Sequence, residues 1–149
     1  MSAPTQDLAI APIADADIAS VVALWQRCDL TRPWNDPSGD IAFARRGPNS
    51  AILVGRHDGA IAATVMVGHD GHRGWFYYLA VDPALQGHGF GRAMTQAAEA
   101  WLVARGVAKA QLMVRAENNR MRAFYEALGY GEQQRVLFAK WLDGRPLTP

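Results

Sequence analysis

The sequence has little cysteine, little net charge and no long hydrophobic run. Its one cysteine, Cys28, cannot by itself form an internal disulfide or a structural zinc cluster, which favours a reducing compartment. Fifteen Lys and Arg against 14 Asp and Glu give a net charge of +1, so the basic field typical of nucleic-acid binding is missing. No run approaches the ~20 apolar residues of a membrane span, and residues 1–7 lack the pattern of a signal peptide. We therefore expect a soluble, unexported, cytoplasmic protein that binds neither nucleic acid nor membrane.

The composition is that of an ordinary globular domain. Half of the 149 residues are hydrophobic and 19% are charged, with 14 Gly and 8 Pro between the apolar segments. A chain of this length buries roughly two-thirds of its extended surface on folding, which is enough for one core. We expect a single domain over residues 1–149, of which residues 1–7 form a flexible lead.

Hydrophobic periodicity predicts strands and helices that alternate along the chain. The predicted strands cover residues 8–14, 50–57, 60–68, 75–81, 109–115 and 133–141. The predicted helices cover residues 18–28, after an N-cap at Asp15 or Asp17, and residues 41–46, 93–102 and 118–128. Asp58-Gly59 favours a type I′ hairpin turn, and Cys28 shares the buried face of the first helix. This order predicts a mixed sheet with helices packed on it.

A glycine-rich loop joins the apolar strand 75–81 to the following helix. Its glycines at positions 87, 89 and 91 precede a helix N-terminus, where unpaired amides point outward with partial positive charge. Such a loop can cradle an anion, although a plain structural turn remains the alternative. A dinucleotide fingerprint would need glycine where Arg92 stands, and no Gly-Lys-Ser/Thr follows as a P-loop requires.

Two motifs resemble the GNAT superfamily of N-acetyltransferases over nearly the full length of the chain. Q-x-x-G-x-G after L-A-V-D-P resembles the loop that binds the acyl-CoA pyrophosphate in that family. Downstream, N-x-x-(A)-x-x-x-Y-x-x-L-G-F/Y is matched by Asn118, Tyr125, Leu128, Gly129 and Tyr130, with Met121 in place of the small residue. The stretches R-P-W-N-D-P and G-H-D-G-H-R-G are similar to the YpeA branch, near the RimI-type enzymes.

The resemblance implies the GNAT acyl-CoA N-acyltransferase fold, an α/β fold of the mixed α+β kind, with a mostly antiparallel central sheet and helices on both faces. It implies acetyl-CoA as cofactor, with the pantetheine arm in a splay between strands 75–81 and 109–115. Backbone groups of the first strand would bind the arm, loop amides would bind the diphosphate, and one asparagine would hold the arm or its neighbouring backbone. The residues implied are Leu79, Ala80, Val81, Gln86, Gly87, His88, Gly89, Phe90, Gly91, Arg92, Asn118 and Tyr125.

The implied reaction is direct attack of an amine on the thioester in a ternary complex. Tyr125 would protonate the departing thiolate, since a tyrosine pKa near ~10 exceeds the ~8.5 of a thiol. The alternative is that Tyr125 is a core aromatic residue whose hydroxyl makes a structural hydrogen bond and has no catalytic role. Strand 75–81 carries no carboxylate, so the general base stays unassigned among Glu117, Asp70, His72 and a chain of waters.

The acceptor is expected to be an amine-bearing small molecule or peptide. The loop at residues 31–36 contains charged residues, a tryptophan and a proline, so it offers charge, a flat apolar surface and a stiff backbone. Its candidate acceptor-binding residues are Arg32, Trp34, Asn35 and Asp36. The alternative is that this loop only connects two helices. Asp70 and His72 are further candidates. His69 shares their tight turn, but a fourth ligand is missing, so we expect no metal.

Two wider questions stay open from the sequence alone. The chain is expected to be a monomer or a homodimer. A catalytically inactive acyl-CoA sensor or interaction module on the same fold is the alternative to an enzyme, because a fold does not fix a function.

Overall fold

The computed structural model describes residues 7–148, so the expected lead at residues 1–7 lies outside the described residues apart from Asp7. The chain divides into two compact units, the first ending at Met113 and the second beginning at Val114. Each unit is described separately.

The first unit holds a five-stranded sheet and three helices. The strands are β1 (Ala9–Pro12), β2 (Ser50–His57), β3 (Ala60–His69), β4 (Gly74–Val81) and β5 (Ala110–Leu112). The helices are α1 (Ile18–Arg27), α2 (Pro37–Arg45) and α3 (Phe90–Val103), with short 3-10 turns at Asp15–Asp17 and Pro83–Leu85. The strands lie in the order β1-β2-β3-β4-β5. All neighbours are antiparallel except β4 and β5, which are parallel and joined through α3. The predicted mixed, mostly antiparallel sheet is confirmed.

Helices cover both faces of this sheet. On one face, Val21, Leu24 and Trp25 of α1 and Ile41 of α2 are buried against the sheet in one apolar cluster. The buried stripe of α3 does not belong to that cluster, and its Leu102 lies against Gly74 of β4. Successive apolar residues of β2 and β3 therefore pack against helices on opposite faces of the sheet.

Local sequence accounts for the best-predicted elements. Asp58 and Gly59 have φ of 51° and 78°, as a type I′ turn requires, so the predicted hairpin is confirmed. Asp17 precedes α1 at the predicted N-cap position, but its carboxylate accepts the Ala14 N–H at 2.9 Å and pairs with Arg56 instead of capping the helix. The Ala14 bond, and then Arg56, hold the pKa of Asp17 below its usual value.

Several predicted boundaries in the first unit differ from the structure, and those of α2 and β5 differ most. Helix α2 begins at Pro37 and not at Ile41, because proline fits the first helical position after the extended Asp36. The strand predicted over residues 109–115 is limited to β5, which pairs with β4 only over Gly74–Phe76.

The second unit has one helix, α4 (Asn119–Ala127). Asn118 caps it by accepting the Met121 N–H at 3.2 Å, and Gly129 follows it with φ of 93°. The final strand predicted over residues 133–141 is wrong: the backbone there is irregular, and Phe138 is 90% exposed. A strand needs a neighbouring strand for its backbone hydrogen bonds, and the described residues of this unit contain none.

Helix length gives no sign of a membrane span between residues 7 and 148. The longest helix, α3, has 14 residues, and no helix in that range is long and apolar enough to cross a bilayer.

Candidate active site

A bulge interrupts β4 in the middle of the sheet. Met66 of β3 faces Tyr77 and Thr64 faces Ala80, so the single residue between Thr64 and Met66 lies opposite two residues of β4. Tyr78, one of those two, has φ of 52°, which is rare for an aromatic residue. The strand changes direction there, just before Leu79, Ala80 and Val81, the residues expected to bind the acyl arm.

The edge of β4 next to β5 is open from the bulge onward. The parallel ladder with β5 ends at Phe76 and Leu112, while β4 continues to Val81 paired with β3 alone among the described residues of the first unit. Backbone groups of an unpaired strand edge can bind an extended amide chain as another strand would. The expected splay would begin where this ladder ends.

Cys28 lies close to the end of this strand. The half-buried thiol donates to the Val81 carbonyl oxygen at 3.3 Å, and burial raises the pKa of Cys28. A thiol held protonated is a poor nucleophile. The structure therefore agrees with a packing role for Cys28 against the apolar cluster.

The glycine loop follows β4 after the 3-10 turn at Pro83–Leu85 and leads into α3. Gly87 and Gly89 have φ of 85° and 80°, and a Cβ at either position would meet no atom within 4 Å. The hydrogen-bond ladder of α3 starts with Ala93 N–H to Gly89 O at 3.0 Å, so the amides of Phe90, Gly91 and Arg92 stand at its N-terminus. Open space before outward-facing amides fits a diphosphate.

Side chains of the loop hold its shape. The His88 Nδ1 lies 2.9 Å from the Leu85 carbonyl and 3.2 Å from that of Gln86, so this nitrogen is the donor. The Phe90 ring is only 2% exposed and anchors the start of α3 in the core. The Phe90 side chain therefore has a packing role.

Tyr125 lies in α4 of the second unit. The ring is 7% exposed and packs edge-on against Phe124 and Tyr130. Burial raises the pKa of Tyr125 to about 12. Asn118, at the start of the same helix, uses its side-chain oxygen as the cap.

Hydrogen bonds to nearby backbone carbonyls fix the conformation of the loop at residues 31–36. The Arg32 guanidinium donates to the backbone carbonyls of Asp29 and Thr31, both at 2.8 Å, so Arg32 is committed to shaping the turn. Trp34 is half-buried, whereas Asn35 and Asp36 are exposed. Asp36 lies near enough to Tyr78 to contribute to the raised pKa of that tyrosine, after burial and Asp40. Helix α2, which follows this loop, contacts Tyr78 through Asp40.

The turn between β3 and β4 lies at the opposite end of β4 from the glycine loop. The Asp70 carboxylate accepts the N–H groups of Arg73 and His72 at 2.7 and 2.9 Å, and the Arg73 bond most lowers the pKa of Asp70. These residues precede β4, whereas the glycine loop follows it, so the strand separates the two ends by about 23 Å. Among residues 7–148 no three His, Cys, Asp or Glu side chains gather as metal ligands.

Sequence reasoning missed the contacts of Tyr78. The Tyr78 hydroxyl donates to Asp40 at 2.7 Å, and its ring stacks on Trp25 with centroids 3.8 Å apart. No local signal marks them, because strand 75–81 is apolar or aromatic at every position and Asp40 lies in a distant helix.

A bulged, mostly antiparallel sheet with helices on both faces and a glycine loop at a helix N-terminus is the fold of solved acetyltransferase structures. The sequence profile of the acetyltransferase (GNAT) family matches residues 19–130, and the chain belongs to that family. It is an acetyltransferase, and acetyl-CoA is the cofactor of its family.

Similar proteins agree with this assignment. An acetyltransferase of Yersinia enterocolitica is 42% identical over 127 residues, which is 85% of this chain and 90% of that protein. The ribosomal-protein-S18-alanine N-acetyltransferase of Escherichia coli is similar in structure, with a TM-score of 0.73 and 27% identity over 93% of this chain and 87% of that one. The enzyme AAC(6′)-Iy, in complex with a CoA bisubstrate analogue, matches in fold with a TM-score of 0.77 and 17% identity over 90% and 97% of the two chains.

Proposed function

We propose that this chain transfers the acetyl group of acetyl-CoA to an amine by direct attack in a ternary complex. The observation that carries the proposal is the continuous path from the open edge of β4 to the glycine loop at the N-terminus of α3. Family membership supports acetyl transfer, and this path supports the way the donor would be held.

The backbone of the first unit would bind the donor. Leu79, Ala80 and Val81 offer an unpaired strand edge to the amides of the pantetheine arm, and the loop from Gln86 to Arg92 offers its N–H groups to the diphosphate. When bound, acetyl-CoA supplies a thioester whose carbonyl carbon an amine can attack. Backbone donors fixed before binding cost little to reorganise.

Tyr125 would supply a proton to the departing sulfur. Its raised pKa keeps the hydroxyl protonated at neutral pH, as an acid that donates a proton requires. Asn118 caps the same helix and would act on Tyr125 through the position of α4. We assign no general base, because β4 has no carboxylate and Asp70 is committed to its own turn.

The acceptor would enter beside the loop at residues 31–36. Trp34 offers a flat apolar face, and Asp36 offers an exposed carboxylate that attracts a cationic amine. Proteins of similar structure include a ribosomal-protein-S18-alanine N-acetyltransferase and an aminoglycoside acetyltransferase, so both acceptor classes belong in a screen.

The test is an acceptor screen with acetyl-CoA that measures free thiol release. The panel would hold a peptide with an N-terminal alanine, a lysine peptide with a blocked N-terminus, an aminoglycoside, a polyamine and a free amino acid. A mass increase of one acetyl group on one acceptor would support the proposal. Tight binding of acetyl-CoA without turnover of any acceptor would instead support the sensor alternative.

A further inference from the structure

Tyr78 is held at three points by three different elements. Trp25 of α1 stacks on its ring at an interplanar angle of 8°, and Asp40 of α2 accepts its hydroxyl proton at 2.7 Å. Thr64 of β3 donates its hydroxyl to the Tyr78 carbonyl at 2.9 Å and accepts the Trp25 indole N–H at 2.8 Å. Thr64 and Trp25 are fully buried, so these bonds are shielded from water.

The bulge decides which face of the sheet Tyr78 occupies. Gly74 of β4 lies against Leu102 of α3, and strand alternation gives Phe76 the same face. An uninterrupted strand would place Tyr78 on that face as well. Tyr78 instead packs on Trp25 at the opposite face, because the extra residue shifts the alternation by one.

The strained backbone and the contacts of Tyr78 therefore depend on each other. A left-handed φ is unfavourable for an aromatic residue and persists only where the surroundings fix it. Of the three contacts of Tyr78 described above, only the hydrogen bond to Asp40 comes from α2. Asp40 lies one turn beyond Asp36, so the same helix turn joins the loop at residues 31–36 to β4.

We propose that Asp40 is a positioning residue that acts through the Tyr78 hydroxyl to hold the bulge, and with it the open edge of β4 that receives the pantetheine arm. The inference rests on the proposed function for the identity of that arm. The role requires a hydrogen-bond acceptor at position 40 and not a negative charge, since a neutral amide oxygen also accepts from a tyrosine hydroxyl.

The first experiment measures hydrogen exchange of β4 in the ligand-free protein. Asp40→Ala and Tyr78→Phe should each increase amide exchange at residues 77–81 about fivefold, as loss of one buried hydrogen bond implies. Asp40→Asn should leave exchange there unchanged. Asp15→Asn is the matched control, because Asp15 also ties α2 through Arg45 at 2.7 Å but does not contact β4.

The second experiment separates the arm from the nucleotide by calorimetry. Acetyl-CoA is compared with 3′-phospho-ADP, which keeps the nucleotide and diphosphate but lacks the pantetheine arm. Asp40→Ala and Tyr78→Phe should weaken acetyl-CoA binding about five- to tenfold and leave 3′-phospho-ADP binding within about twofold. Asp40→Asn should restore acetyl-CoA binding, and the double variant should be no weaker than either single one.

Three results would overturn the inference: unchanged exchange and acetyl-CoA affinity in Tyr78→Phe, a loss in Asp40→Asn as large as in Asp40→Ala, or an equal loss for 3′-phospho-ADP. Tyr78→Phe removes only the hydroxyl and keeps the ring stacked on Trp25. If Asp40→Ala does not fold, this variant alone tests the role of the hydrogen bond. Failure of the proposed function would look different, since the wild type would then bind acetyl-CoA and turn over no acceptor.

Discussion

Gly89 and Gly106 share a backbone conformation, but only Gly89 lies in the loop before α3. Their φ values are 80° and 79°, and a Cβ at either would meet no atom within 4 Å. Alanine should therefore destabilise the fold by about 1–2 kcal/mol at each position. Only Gly89→Ala should also weaken acetyl-CoA binding, by about tenfold or more, because its Cβ enters the space before the amides. Calorimetry with acetyl-CoA on both folded variants is the measurement, and equal affinities would remove the loop from the donor site.

Tyr125→Phe isolates the hydroxyl of the proposed acid. The ring and its contacts with Phe124 and Tyr130 remain, so acetyl-CoA affinity should be unchanged. The turnover number kcat should fall by roughly the 10²–10⁴ that general acid catalysis contributes. Single-turnover kinetics with an acceptor from the screen would measure this, with Tyr130→Phe as the control. A variant with wild-type chemistry would leave Tyr125 a packing residue.

At the scale of elements, the loop at residues 31–36 is tested by removing one charge. Asp36→Asn keeps the shape of the exposed side chain, and the loop is fixed independently by the Arg32 bonds to backbone carbonyls. For a cationic acceptor, KM should rise so that kcat/KM falls by about ten- to a hundredfold, with acetyl-CoA affinity unchanged.

The control for that loop variant is Asp29→Asn. Asp29 has φ of 56°, a conformation that asparagine tolerates well, and it is exposed at the start of the same loop. Steady-state kinetics on both variants would show whether the effect belongs to Asp36. Equal kinetics in all three proteins would make the loop a connector.

Elements specified by residues adjacent in sequence could be predicted. Elements that depend on a neighbouring strand or helix elsewhere in the chain could not. The hairpin at Asp58-Gly59 and the glycine loop before α3 are specified by residues adjacent in sequence. The bulge at Tyr78 could not be foreseen, because a strand that is apolar at every position has no alternation to shift. The strand predicted over residues 133–141 failed for a related reason: its apolar residues indicate a buried face, but not which strand would pair with it.

At the scale of the whole molecule, buried tyrosines make stability depend on alkaline pH. The pKa of Tyr125 is raised by burial from an ordinary value of 10 to about 12, so the unfolded chain loses this proton at lower pH than the folded one. The stabilising contribution is complete below about pH 10 and is lost as the pH rises towards 12. Burial raises the pKa of Tyr78 in the same direction.

Tyr125→Phe should therefore reduce the loss of stability at high pH. We expect the free energy of unfolding of the wild type to fall by about 2–3 kcal/mol more than that of the variant between pH 9 and 12. Urea unfolding at a series of pH values would measure the difference. Parallel curves for the two proteins would show that Tyr125 titrates normally.

One part of the candidate site could be predicted from the sequence, and another part could not. The glycine loop before α3 could be predicted because its glycines are close together in the chain and precede a helical pattern. The Asp40–Tyr78 bond joins residues 38 positions apart, and neither position has a pattern that marks the other. Contacts of this kind follow from the packing of α2 on the sheet, and only the folded structure reveals them.

The end of the β4–β5 pairing at Phe76 has a consequence for the protein without its cofactor. An unpaired strand edge is a template on which another chain can add a strand, so such a protein is prone to association through its own binding groove. Acetyl-CoA, by occupying the edge, would act as a cap that keeps molecules apart. Light scattering at a temperature below unfolding should rise more slowly with acetyl-CoA than with 3′-phospho-ADP at equal saturation, because only the pantetheine arm covers the edge.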